Sequence, residues 1–296
     1  MLRVADEVRK SLEAGGAVVA LETTIVAHGF PRGEGLAVGR ECEARVREAG
    51  AVPATVAVLD GELRIGLTDA ELERVAAAGP DASKVGPRDI GICVAQGAIG
   101  ATTVGGTLAA CKHAGLRFFA TGGLGGVHRG WTERPDVSAD LGALARTAVV
   151  VVCSGVKSLL DVPATVEALE TLAVPIFGYG TDELPLFYSA HGGPSVPRVG
   201  TPEETAAIAR AHWRFWDTAL VLTRPPTDGI DDVEPLIEQA LAEAGAQGVT
   251  GQAVTPFVLA YLHERSGGRT LDVNRRLAAD NAGLAAEIAV AFGSVG

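Results

Sequence analysis

Short apolar runs alternate with stretches of helical period over most of the chain, the mark of strands feeding helices. AVVALET at 17–23 predicts a buried strand, and residues 36–49 predict a helix. TVAVLDGELRIG predicts two strands about an Asp60-Gly61 turn, a dipeptide suited to a tight hairpin. Thr68 and Glu71 predict a capping box ahead of the helix ELERVAAAG. RFFATGG, VVVVCSG and VPIFGYG are further apolar runs ending in glycine, and residues 158–173 predict a helix between the last two. The opening MLRVADEVRKSLEAGG has the period of an amphipathic helix and not the build of a signal peptide.

The C-terminal third changes character. Thr201, Pro202 and Glu204 predict a helix start, and TALVLTRPP is the last strand pattern. From Asp231 onward the pattern is helical. Together these elements predict an α/β protein: a three-layer α/β/α sandwich with a mostly parallel or mixed central sheet and a helical C-terminal cap. No repeat, low-complexity tract or charged linker interrupts the pattern, so one domain over residues 1–296 is expected.

Composition narrows the function. A formal net charge of -11 argues against a nucleic-acid partner, whose backbone demands clustered basic residues. No apolar run is long enough to span a membrane. Cys42, Cys93, Cys111 and Cys153 are dispersed without a CxxC pair, as expected of buried free thiols in the cytoplasm. Only four of the 25 basic residues are lysine, namely Lys10, Lys84, Lys112 and Lys157. In an arginine-biased chain, a lysine in an apolar setting stands out as one that arginine cannot replace.

Several residues then become candidates for chemistry. GAIGATTVGGT (97–107) and TGGLGGVHRG (121–130) are loops that could bring backbone N–H groups against a phosphate, or simply tight turns. His128 and Arg129 tilt the second toward an anion site. Lys157 follows VVVVCSG, where a buried strand ends at the edge that commonly carries ligands. It reads either as an amine nucleophile or as a phosphate-binding or snorkelling lysine. Glu22 lies inside an apolar strand, either as a functional carboxyl or in an ion pair with Arg88 or Lys84. Asp136 and Asp140 flank Ser138 as hard oxygen ligands for Mg²⁺ or Mn²⁺, or as a helix cap with an acidic first turn. His28 lines a site or orders its loop, whereas His113, His212 and His263 read as surface or satisfied core groups. Asn274 and Asn281 share one face of the last helix.

The ordered set ALETTIVAHGFP, SKVGPRDI, GATTVGGTLAACKHAG, FATGGLGGVHRG, DVSADL, VVCSGVKSLLD and GVTGQAVTPFVLA resembles the pseudouridine-5′-phosphate glycosidase family, also known as indigoidine synthase A-like. DVSADL and CSGVKSLLD are its most specific parts. The resemblance implies cleavage of the C–C glycosidic bond of pseudouridine 5′-phosphate to uracil and ribose 5-phosphate. It implies Glu22 as proton donor and Lys157 as the nucleophile that passes through a Schiff base. Lys84, Val104, His128, Ser138, Ala139, Asp140 and Asn281 would contact substrate, His128 on the phosphate side and Asn281 at the uracil. Asp136 would anchor Mn²⁺, largely through water, and the family implies a homotrimer. The loops at 30–35, 86–87 and 183–197 depart from the commoner pattern, which bears on the base or acceptor more than on the reaction. Two other readings remain: a C-glycosynthase joining ribose 5-phosphate to an aromatic acceptor, and a non-catalytic phosphosugar-binding protein.

Overall fold

The structure, a computed structural model, describes residues 1–294 other than Arg134, Ser158 and Asp231, and leaves the side chain of Gln252 aside. Ser158 and Asp231, the expected starts of two helical tracts, therefore lie outside the described residues. In chain order the first half runs β1 (Leu2–Val4), α1 (Asp6–Glu13), β2 (Val18–Leu21), α2 (Thr24–His28), α3 (Gly35–Glu48), β3 (Val52–Leu59), β4 (Glu62–Ile65), α4 (Asp69–Ala78), β5 (Ser83–Val85), α5 (Ile90–Gln96), β6 (Gly100–Thr102) and α6 (Val104–Ala114). The second half runs β7 (Phe118–Ala120), α7 (Ala139–Leu144), β8 (Val150–Cys153), α8 (Val162–Thr171), β9 (Ile176–Tyr179), β10 (Arg198–Val199), α9 (Pro202–His212), β11 (Leu220–Thr223), α10 (Glu234–Ala246), α11 (Val254–Arg265) and α12 (Arg269–Gly293).

Local rules account for many of these elements. Asp60 and Gly61 both take positive φ, 53° and 74°, so the chain reverses tightly between β3 and β4. Thr68 and Glu71 form the expected reciprocal cap on α4. The helix expected over 158–173 begins only at Val162, because the Asp161 carboxylate caps the N–H of Ala164. One expectation fails outright. Residues 2–4 form β1 beside β4, and the amphipathic helix starts at Asp6. The exposed edge of β4 offers backbone partners that outweigh helical period over so short a segment.

The strands order as β1-β4-β3-β2-β7-β8-β11-β9-β10, with β6 against β3 and β5 against β6. From β3 to β10 along that path every pair is parallel, whereas β3 runs antiparallel to β4 and β6. Successive side chains enter opposite layers. Val19 and Leu21 pack with α3, α9 and α12, while Val18 and Ala20 pack with α1, α6 and α7. Val150 and Val152 repeat that alternation against Val151 and Cys153. Each fully buried valine contributes about 1.5–3 kcal/mol relative to exposure. The result is the expected three-layer α/β/α sandwich on a mixed sheet. Its parallel centre points the carboxyl ends of β2, β7 and β8 to one edge, and α11 reaches over that edge. Among the described residues no helix is long and apolar enough to cross a membrane.

Candidate active site

A cavity of about 440 Å³ opens at that carboxyl edge. Its wall carries Glu22 from the end of β2, Lys84 from β5, Val104 from the start of α6 and Lys157 from beyond β8. His128, Asp136, Ser138, Ala139 and Asp140 line it from the long β7–α7 connection and the first turn of α7. Residues spread over 135 positions of sequence thus converge, from Glu22 to Lys157.

Glu22 is 8% exposed, and both carboxylate oxygens are occupied by hydroxyl donors. Thr121 donates to Oε1 and Thr24 to Oε2. Burial pushes this carboxyl above its ordinary value, against the nearby Lys157 charge and the two hydroxyls. The ion pair with Arg88 considered from sequence is not what holds it, since Arg88 meets Asp89 at 3.3 Å. Lys84 is pushed the other way, below its ordinary value, by burial first and then by the charge of Lys157. Lys84 and Lys157 therefore share one small cavity with Glu22, Asp136 and Asp140.

Asp140 is fixed by backbone donors. Its Oδ1 accepts the N–H of Gly105 at 2.8 Å and its Oδ2 the N–H of Gly125 at 3.0 Å. Such approach requires glycine: a Cβ on Gly125 would lie 2.5 Å from both Asp140 Oδ2 and Ser138 Oγ. Ser138 itself caps α7 by accepting the N–H of Asp140 at 3.2 Å. The first glycine-rich stretch is consequently not an open phosphate cradle. Gly105 and Gly106 lie inside α6, one N–H bound by Asp140 and the other by Thr103 Oγ1.

His128 and Asp136 sit side by side, with Nδ1 and Oδ2 4.0 Å apart. Burial holds the His128 imidazole below its ordinary value; Asp136 opposes that shift, and Lys157 and Lys84 reinforce it. Arg129 turns away from the cavity, with Nη2 2.7 Å from Glu234 and Nε donating to the Leu160 carbonyl. Among the described residues no three His, Cys, Asp or Glu side chains converge to hold a metal. Asp136 is a partly exposed carboxylate on the cavity wall. That suits one oxygen ligand to a hard divalent cation that keeps most of its water.

The two asparagines of α12 separate. Seven residues place them about 10 Å apart along one helix face. Asn274 reaches the cavity, 2% exposed, and its Oδ1 has no hydrogen-bond partner among the described residues. Asn281 lies behind the wall, fully buried, with Nδ2 donating to the Thr121 carbonyl at 2.9 Å and to Ser154 Oγ at 3.1 Å. Asn281, expected at the base, does not line the cavity: its Nδ2 is committed to two strand ends, and its buried Oδ1 has no hydrogen-bond partner among the described residues. Thr121, Thr24, Phe187 and Asn274 complete the site. Of these only Asn274 carried a sequence signal, its shared helix face. His28 lines the cavity, with Nε2 3.1 Å from the Ala82 carbonyl.

Comparisons with known proteins place the whole chain in one family. Residues 7–291 match the family model described as indigoidine synthase A like protein. The pseudouridine-5′-phosphate glycosidase of Streptomyces griseus subsp. griseus is 51% identical over 96% of this chain and 90% of its own. That of Myxococcus xanthus is 47% identical over 98% of both. Among solved structures, the prealnumycin C-glycosynthase AlnA in complex with ribulose 5-phosphate superimposes with a TM-score of 0.90 at 38% identity, covering 100% of this chain and 98% of that one. An indigoidine synthase A-like protein from Thermotoga maritima gives 0.89, also at 38% identity, covering 99% and 97%. The chain belongs to the indigoidine synthase A-like family.

Proposed function

We propose that this chain reversibly cleaves the C–C glycosidic bond of pseudouridine 5′-phosphate to uracil and ribose 5-phosphate. The observation that carries the reading is the placement of Glu22 and Lys157 on one cavity wall, with the Glu22 carboxyl raised by burial. A carboxyl raised by burial holds a proton more readily than a free one, which suits donation, and a lysine at a strand end offers an amine. The names of the relatives at 47–51% identity support the same substrate.

A carbon leaving group cannot be expelled as an alkoxide is between two carboxyls. Glu22 donates its proton to the ribose ring oxygen as the C1′–O4′ bond breaks. The amine of Lys157 bonds to C1′. The proton released by the Lys157 nitrogen on bonding to C1′ is returned to C5 of the base as the C1′–C5 bond breaks, uracil leaves, and C1′ remains as an imine of Lys157. Water hydrolyses that imine to ribose 5-phosphate and the free lysine. Asp140, held by two backbone N–H groups, orients the sugar with Ser138 and Ala139, and Val104 packs beside it. Lys84 and His128 lie toward the phosphate. Asp136 would hold Mn²⁺, which supplies Lewis-acid and water-ordering chemistry when bound. Asn281 acts through Thr121 and not on the base. The protein works in the cytoplasm as a homotrimer.

Incubation with pseudouridine 5′-phosphate and Mn²⁺ should release uracil and ribose 5-phosphate in equal amounts, and Lys157→Ala should release neither. Borohydride should trap a sugar adduct on Lys157. Substrate binding without turnover or adduct would instead favour a non-catalytic phosphosugar-binding protein. The fold match to AlnA favours one second reading, a C-glycosynthase using the same lysine with an aromatic acceptor. Identity is lower there, 38% against 47–51%, so the glycosidase reading leads.

A further inference from the structure

Phe187 sits at the centre of a three-residue turn. Its φ is 62°, and the N–H of Tyr188 donates back to the Leu186 carbonyl at 2.7 Å. Turns of this hand are rare and strained, the more so with a bulky residue at the centre. The turn is clamped on both sides. The Phe187 N–H donates to the Ser154 carbonyl at 2.9 Å, and the Tyr188 carbonyl accepts the N–H of Ile230 at 2.6 Å. The rings of Phe187 and Tyr188 meet edge to face, 4.7 Å between centroids.

What the strain achieves is a position. Phe187 lines the cavity, 3% exposed, with its ring seated on the Gly122–Gly123 step. A Cβ on Gly123 would lie 2.5 Å from Phe187 Cδ2. A Cβ on Gly122 would lie 3.4 Å from Phe187 Cε2 and 3.5 Å from Asn274 Oδ1. The ring and the unpartnered amide oxygen therefore meet over one glycine, next in sequence to Thr121, which holds Glu22. In the sheet, β5 with Lys84 lies beyond β3 on one side, while the loop after β9 brings Phe187 from the other. With the phosphate toward Lys84 and His128, as the cleavage reading has it, the corner of Phe187 and Asn274 is left to a neutral ring.

We propose that Phe187 sets the size of the leaving group, closing this corner to anything larger than a single ring whose N–H is accepted by Asn274 Oδ1. The proposal rests on the cleavage reading above and adds a specificity determinant to it. A strained turn is a physical way to hold a rigid apolar group where an unstrained loop would swing it aside.

The test uses two competitors of pseudouridine 5′-phosphate cleavage: uracil, and quinazoline-2,4-dione, which is uracil with a fused benzene ring. The parent should be inhibited by uracil and at least ~10-fold more weakly by the fused compound, the scale expected for misfit in an apolar pocket. Phe187→Gly, whose φ glycine adopts freely, should reverse that preference and raise KM for pseudouridine 5′-phosphate about tenfold, leaving inhibition by ribose 5-phosphate unchanged. Phe187→Leu should lie between. Equal inhibition of the parent by both competitors, or unchanged constants in Phe187→Gly, would overturn the proposal. If the parent does not cleave pseudouridine 5′-phosphate, the reaction reading fails separately. Calorimetry with uracil and quinazoline-2,4-dione in the presence of ribose 5-phosphate then still reads the corner directly, and equal heats in parent and Phe187→Gly would sink it.

Discussion

The side-chain amide of Asn281 donates to the carbonyl of Thr121 at 2.9 Å, and the hydroxyl of Thr121 in turn donates to Glu22. A helix near the end of the chain thereby fixes the strand end on which the proposed proton donor depends. Asn281→Ala leaves the Thr121 carbonyl and Ser154 hydroxyl without this donor, at a cost of about 1–3 kcal/mol. Thermal unfolding should show the loss. Steady-state kinetics should show a lower kcat with KM little changed, because Asn281 does not line the cavity. A large rise in KM alone would restore Asn281 to the base.

Glu22 links activity to stability through pH. Burial raises its carboxyl above the ordinary 4.5, so the native state holds that proton more tightly than the unfolded chain does. The stability associated with Glu22 is thus fully present below 4.5 and is lost as pH rises through the folded value. Lys157 and the hydroxyls of Thr121 and Thr24 oppose the shift, and Asp140 adds to it. Glu22→Gln should unfold at a higher temperature than the parent at neutral pH, with the difference closing at pH 4. Its kcat should fall about 10²–10⁴-fold. Equal unfolding temperatures at both pH values would contradict the assignment.

Gly125→Ala places a methyl group 2.5 Å from Asp140 Oδ2 and Ser138 Oγ. Asp140 must shift, so the variant should lose about 1–3 kcal/mol of stability and most of its turnover. The same substitution at Gly91, inside α5 where an added Cβ meets nothing within 4 Å, should leave turnover unchanged and cost no stability. The pair of chemical denaturation curves is the readout.

Asp136 supplies the metal test. Chelation should suppress cleavage and added Mn²⁺ restore it. Asp136→Asn should raise the Mn²⁺ needed for half-maximal rate by at least ~10-fold, since a neutral amide is a poorer ligand for a hard cation. Cleavage that ignores chelator in both proteins would remove the metal from the reaction.

By itself the sequence determined the layers and much of the site. Short continuous apolar runs specify strands here, because alternate residues enter opposite cores and both must be apolar, as Val18 and Val19 are. Asp60-Gly61 and the Thr68–Glu71 cap are local enough to be read directly. Glu22 and Lys157 stood out because a charge in or beside an apolar strand demands a reason. Only the tertiary structure decided the rest. Residues 2–4 became a strand because β4 offered an edge, a partner invisible to local pattern. The strained turn at Phe187 has no composition signature, since its neighbours Ser154 and Ile230 impose it from elsewhere in the chain. Asn274 and Asn281 are alike in sequence and share a helix face. Which one meets the cavity and which one braces Thr121 depends on where α12 lies along the sheet, and that is fixed by packing between layers.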